Sequence, residues 1–163
     1  MAEETRRVPM FLSGPTTATA VLLPMRLYVG WFWVKLGLEK LHSGWLSPDS
    51  RFIVDELNQI SSPNFVSDAF FSAARENVVL SQWLVTGLQL LFGVLMMVGG
   101  VTRVAGIALA LMSLVWWVCT NYPWAGWQVP MALMSLTLCV AAAGRYLGLD
   151  AILKARMVKV PLF

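Results

Sequence analysis

Tyr28, Trp31, Lys35, Glu39 and His42 are spaced so that, at 100° per residue, all five fall within about an 80° arc of one helix. A base, an acid and an imidazole on successive turns are the parts of a proton relay, and Lys35 and Glu39 at i and i+4 can neutralise each other. Lys35, Glu39 and His42 are therefore the candidate catalytic residues. An apolar slot with aromatic walls and a few ionisable groups also suits a quinone headgroup. Tyr28, Trp31 and Trp83 are the candidate walls of such a slot. The plainer readings are a structural ion pair that locks helix packing, a solvated interfacial histidine and ordinary packed aromatics, and at the level of sequence both sets stay open.

These residues lie in the stretch 21–45, VLLPMRLYVGWFWVKLGLEKLHSGW, which is long and apolar enough to cross a bilayer. Charges within a span are costly and are usually held by a partner or a water-filled cavity. The stripe is accordingly expected to face other helices, with the Lys35–Glu39 pair turned inward beside Trp31 and below His42. Arg26 falls nearly opposite, near the start of the span, where its long stem can snorkel to the interface. Lys40 points away from the stripe and reads as an interfacial anchor.

The 163 residues are 58% hydrophobic and only 13% charged, against roughly 25% charged in soluble domains, which places the chain among membrane proteins. No basic run with interleaved aromatics suggests nucleic acid. The N-terminus shows no short apolar region ending in a small-residue cleavage site. Cys119 and Cys139 form neither a CxxC nor a metal spacing, and no metal site is expected. Their depths along a hairpin differ by roughly 18 Å, too far for a bridge. A single histidine excludes a bis-histidine haem within one copy.

Taken in order, residues 1–20 read as a cytoplasmic arm. A first helix is expected from about Val21 to Leu41, with Pro24 in its opening turn and Gly44 as its stop. Residues 43–79 hold no span. Ser47-Pro48-Asp49 is a helix-start signal ahead of Phe52, Ile53, Leu57 and Ile60 at helical spacing. Phe65, Val66, Ala69, Phe70 and Ala73 form a second short apolar face. Two short amphipathic helices, on the membrane surface or capping the bundle, account for both. Further spans are expected at about Val78 to Val98, Thr102 to Cys119 and Trp127 to Tyr146, with a tight reversal at Gly99-Gly100-Val101-Thr102-Arg103. Asp150 can cap a short amphipathic tail helix.

The fold class expected is all-α: an integral membrane four-helix bundle over 21–149, with short extracytoplasmic helices in the 43–79 insertion and a cytoplasmic amphipathic tail over 150–163. Placing both termini inside puts Arg6, Arg7, Arg103, Arg145, Lys154, Arg156 and Lys159 on the cytoplasmic side and only Arg51 and Arg75 outside, a clear positive-inside bias. The expected location is the cytoplasmic membrane of a bacterium or archaeon.

Most of the eight tryptophans, namely Trp45, Trp116, Trp117, Trp124 and Trp127, are explained by an interfacial aromatic belt, whereas Trp31, Trp33 and Trp83 are not. Met96, Met97, Met112, Met131 and Met134 read as packing. Gln82, Gln89, Asn121 and Gln128 suit interhelical hydrogen bonds.

Two segments carry a family resemblance. RLYVGWFWVKLGLEKL (Arg26 to Leu41) is similar to the arginine, glycine, then Gly-x-x-Lys-Leu run of the DoxX/DoxD-like family of small four-helix membrane proteins. AGRYLGLD (Ala143 to Asp150) is similar to that family's Gly-Arg…Gly-x-Asp ending. The long insertion LEKLHSGWLSPDSRF resembles the DoxD-type branch. Arg26, Lys40, Arg145 and Asp150 are the matched charged positions. The resemblance implies a membrane subunit of thiosulfate:quinone oxidoreductase type that uses quinone and works with a separate, DoxA-type partner. Other relatives act as non-catalytic partners in membrane complexes, so a scaffold or assembly role is the alternative. Membrane lipid, quinone and a separate protein subunit are thus the expected partners, and no covalently held cofactor is expected.

Overall fold

The computed structural model describes residues 20–47, 49, 51, 53–55, 58, 64–119, 126–145 (Arg145 by its backbone alone) and 148–150. The expected N-terminal arm, the tail helix beyond Asp150 and half of the Ser47 to Ile60 segment lie outside these residues. Among the described residues the chain is all-α. Helix α1 is Leu23–His42, α2 Phe65–Glu76, α3 Val78–Val98, α4 Thr102–Cys119 and α5 Gln128–Val140, followed by a 3₁₀ turn at Ala143–Arg145.

Helices α3 and α4 are 21 and 18 residues long and apolar enough to cross a membrane. At 1.5 Å per residue they measure about 32 and 27 Å, close to a hydrocarbon core. Helix α1 has 20 residues, the same reach, but includes Arg26, Lys35, Glu39 and Lys40. Its start and stop follow local chemistry. Pro24 sits in the first turn, where its missing N–H is no loss. At the other end Ser43 N donates to Glu39 O, and Gly44 then turns the chain at φ +78°.

The reversal between α3 and α4 is a Schellman-type stop. Gly99 adopts φ +67°, Gly99 N donates to Met96 O and Gly100 N to Leu95 O. Helix α1 packs on α3, α4 on α5, α3 on α4 and α1 on α5. Both antiparallel pairs depend on missing side chains. A Cβ on Gly30 would lie 2.8 Å from Gly93 O, and one on Gly106 would lie 2.7 Å from Ser135 O. Val29, Trp33, Met96, Leu109, Met131 and Leu138 fill the space between the helices. Trp33 is buried and edge-packed against Trp127, with ring centroids 5.8 Å apart. Trp127, half-buried, thus packs against this core.

A second cluster caps one end. Trp45, Ile53, Phe71, Ala74 and Cys119 pack together there. Asn64 starts α2 by accepting from Ser67 N at 2.9 Å, and its amide donates to Val118 O at 2.8 Å, which ties α2 to the end of α4. The helix is where the spacing predicts it. Ser67, Phe71 and Ala74 are buried, while Phe65, Val66, Ala69 and Ala73 are exposed. Burial goes to the face that meets Cys119 and Trp45. The more apolar face is left outward, as suits a helix lying at a membrane surface. Trp45 belongs to this cap and not to a belt, and the Lys40 ammonium lies 5.0 Å from the centre of its ring. At the same end Gln82, fully buried, accepts from Ile53 N at 3.3 Å.

The fourth long helix is shorter than expected. It ends at Val140, and Ala142 takes φ +47°. A carbonyl inside a helix is occupied by the N–H four residues on. Leaving the helix frees Ala143 O, and Arg26 takes it.

Candidate functional site

Two constellations of ionisable groups emerge. One is at the Gly99 end of the molecule. Arg26 is 2% exposed, and its Nη1 donates to Ala143 O at 2.9 Å across 117 residues. It does not snorkel, because the face of α1 that carries it, with Val29, Gly30, Trp33 and Gly37, is the one turned into the protein. Asp150, also buried, accepts from Val101 N at 2.5 Å and Thr102 N at 2.9 Å, and its own N–H donates to Gly99 O at 2.8 Å. Asp150 thus caps the N-terminus of α4; the tail helix that it was expected to cap lies outside the described residues. A carboxylate there satisfies orphan N–H groups and meets the positive end of the helix dipole. The charges of Arg26 and Asp150 attract. Gly99, Gly144 and Gly148 fill the space between them, and a Cβ on any of the three would collide with Arg26, Asp150 or neighbouring backbone. The arrangement holds α1, α4 and the segment after α5 together. The sequence signal for it is a buried-span arginine and a distant aspartate that sit in the two segments carrying the family resemblance.

The other constellation is the α1 stripe. Lys35 Nζ and Glu39 Oε1 are 3.6 Å apart, so the i,i+4 pairing is present. Its direction corrects the expectation. The two side chains are 59% and 57% exposed, and Tyr28 and Trp31 are also more than half exposed. The stripe faces away from the other helices because Gly30 and Gly37 supply the flat surface against which α3 packs, and that surface lies on the other side of α1. His42 is likewise exposed. Its Nδ1 lies 2.8 Å from Leu38 O, an atom that can only accept, so Nδ1 carries hydrogen and Nε2 is the acceptor of the neutral ring. Trp83 is exposed on α3 and lines an open cleft of about 610 Å³ with Arg75, Glu76, Asn77 and Val79. Tyr28 and Trp31 do not line that cleft, so the three aromatics do not wall a common slot. What the stripe can do chemically is present a donor, a carboxylate and an imidazole, one turn apart, to whatever lies alongside α1.

The pair is exposed on a helix read as crossing the membrane, so each charge relies on the other, and a charge left alone on a face turned to lipid costs free energy. We expect Lys35→Met and Glu39→Gln, singly, to lower thermal stability in detergent, and the double change to recover much of that loss because it leaves no charge behind. Differential scanning fluorimetry checks it, and single variants as stable as the parent would show that neither charge depends on the other.

Among the described residues, α3 and α4 are long and apolar enough to cross a membrane, and α1 matches their length with charge on its outer face, the pattern of a small helical membrane protein. A family model described as "TQO small subunit DoxD" matches residues 21–162, and the chain belongs to the DoxD family. No curated protein and no solved structure matches it.

Proposed function

We propose that this chain is the membrane subunit of a quinone-linked oxidoreductase of the thiosulfate:quinone type, acting with a separate subunit that handles the electron donor. The family match supports the class. The single observation that carries the quinone reading is the outward display of Tyr28, Trp31, Lys35, Glu39 and His42 on α1. A quinone travels within the bilayer, so groups that meet it must be reachable from the side and not only from the protein interior. When bound, a quinone supplies two-electron, two-proton acceptance. Lys35 would donate to a carbonyl oxygen, Tyr28 and Trp31 would flank the ring, and Glu39 and His42 would carry a proton toward the end of the helix.

The same reading has four spans with both termini cytoplasmic and the α2 cap outside. The lengths of α1, α3 and α4, the antiparallel pairing of neighbours and the lysine and arginine bias support it. A non-catalytic scaffold is the second reading. It is favoured by the Arg26–Asp150 cluster, in which one charged position of each resemblance segment is spent on packing and capping.

The double variant Lys35→Met/Glu39→Gln separates the two. It leaves no charge behind and should remain folded. In complex purified from native membranes we expect it to lose bound quinone and most donor-to-quinone turnover relative to the parent. Full turnover with normal quinone content would remove the stripe from the reaction and leave the scaffold reading.

A further inference from the structure

The inward face of α3 is polar along one half. Gln82, Thr86, Gln89, Gly93 and Met96 follow one another at intervals of 4, 3, 4 and 3 residues, and all five are buried. Gly93 and Met96, toward Gly99, pack on α1 and into the core between the helices. Gln82, Thr86 and Gln89, toward the cap, lie about 6, 12 and 17 Å from the start of α3, so the polar run reaches the middle of the helix. The two apolar clusters part at the same level. Val85 and Val115 pack with the cap, and Phe92 and Met112 pack with the core. Between them the buried residues are Thr86 and Gln89 on α3 and Ser113 on α4. We propose that this face holds a file of bound water running from the cap to Gln89, an inlet into the middle of the bundle.

Unmet hydrogen-bonding capacity carries the argument. Thr86 Oγ1 and Gln89 Oε1 are buried and have no hydrogen-bond partner among the described residues. The interhelical bond expected for Gln89 is therefore not made by that oxygen. A buried polar atom without a partner is costly, and surrounding lipid supplies none, so such atoms are paired with protein or with ordered water. Ser113 Oγ donates to Leu109 O and can still accept. Gln82 Oε1 accepts from Ile53 N, which puts the mouth of the run beneath the cap. The ligand has to donate to the Gln89 carbonyl and to exchange hydrogen bonds in both directions with hydroxyls. It also has to be uncharged, because α3 contains no charged residue and α4 only Arg103, in its first turn. Water meets each requirement. The spacing fits as well: rises of about 6 and 4.5 Å separate successive polar side chains, and one water making two bonds of about 2.8 Å spans about 5.6 Å. The stripe from Tyr28 to His42 lies on the outer face of α1, and the inlet does not rest on the quinone reading.

Cysteine accessibility in membrane fragments open at both faces tests this in the full-length chain, with its own cysteines retained and modified positions located by peptide mass spectrometry. The probe is aminoethyl methanethiosulfonate, which attacks a thiolate, a form that exists only where water reaches the sulfur. Thr86→Cys and Ser113→Cys should be modified although both positions are buried, and Gln89→Cys more slowly. Met96→Cys, on the same face beyond the run, should be slower than Gln89→Cys by about tenfold or more. Leu84→Cys, on the exposed side of α3, should be as slow as Met96→Cys. Adding Thr86→Val to the Gln89→Cys chain interrupts the run and should bring that thiol down to the Met96→Cys rate. Ser113→Cys exchanges only oxygen for sulfur and keeps the test valid should an α3 variant fail to insert. Modification of Gln89→Cys or Ser113→Cys no faster than that of Met96→Cys, or a Gln89→Cys rate unchanged by Thr86→Val, would overturn the proposal.

Discussion

Arg26→Met is expected to be among the most damaging single changes in this protein, lowering stability by about 3–5 kcal/mol. The guanidinium is buried and donates to Ala143 O, a carbonyl made available only because the chain leaves α5 at Ala142. Without it that carbonyl is buried and unpaired, and Asp150 is left as a buried carboxylate lacking its counter-charge. Asp150→Ala should also destabilise, because it strips the acceptors from Val101 N and Thr102 N at the start of α4. Loss of such a cap costs about 1 kcal/mol, and here the unbalanced arginine adds to it. The double variant Arg26→Met/Asp150→Ala should lose clearly less than the sum of its parts, since neither change then leaves a charge alone. Unfolding in mixed micelles, followed by tryptophan fluorescence, measures all three. Additive losses would show that the two charges act independently and that the cluster is two separate caps.

Gly30→Leu is expected to separate α1 from α3. A Cβ at Gly30 would fall 2.4 Å from Met97 Cγ and 2.8 Å from Gly93 O. The methionine can swing away, but the backbone carbonyl cannot. The helices must therefore move apart along the line where Gly30, Val34 and Gly37 meet Leu90, Gly93 and Met97. Overpacking of this kind costs about 1–3 kcal/mol, and it reaches the upper part of that range where backbone opposes the new side chain. Gly87 is the internal control. It lies in the same α3 but has nothing within 4 Å of its Cβ position. Gly87→Ala should be neutral or should stabilise by about 0.5–1 kcal/mol, through the helix propensity gained. Thermal melts of the two variants side by side decide the point. Equal losses at the two positions would mean that α1 and α3 do not meet at Gly30.

Helix boundaries were legible wherever short-range chemistry sets them. Val78–Val98 and Thr102–Cys119 begin and end where the spacing predicts, because apolar length, the Gly99-Gly100 reversal and the absence of interior proline are all local facts. Helix α2 was legible for the same reason, through the helical spacing of Phe65, Val66, Ala69, Phe70 and Ala73. Helix α5 was not. Its last expected turns are given up to free Ala143 O for a residue 117 positions away, and no local preference encodes that trade.

Which way each helix turns is the larger gap. From α1 alone, the ionisable stripe is the face that lipid should reject, and an inward orientation follows. The opposite face wins because Gly30 and Gly37 permit a closer approach to α3 than any large side chain allows, and Arg26 is carried inward on that face to meet Ala143 O. The face of α2 that packs is set in the same way by the cap around Trp45 and Cys119, which leaves Phe65 and Val66 outside. The sequence by itself determined an all-α membrane chain, its family, the helix ends fixed by local chemistry and the Lys35–Glu39 pairing, all of which depend on composition, motif or neighbours within about one helical turn. Only the tertiary structure decided that Arg26 and Asp150 belong to one buried cluster and that the reactive stripe points outward. Both depend on close approach between segments remote in the chain, where the side chains missing at glycines matter as much as those present.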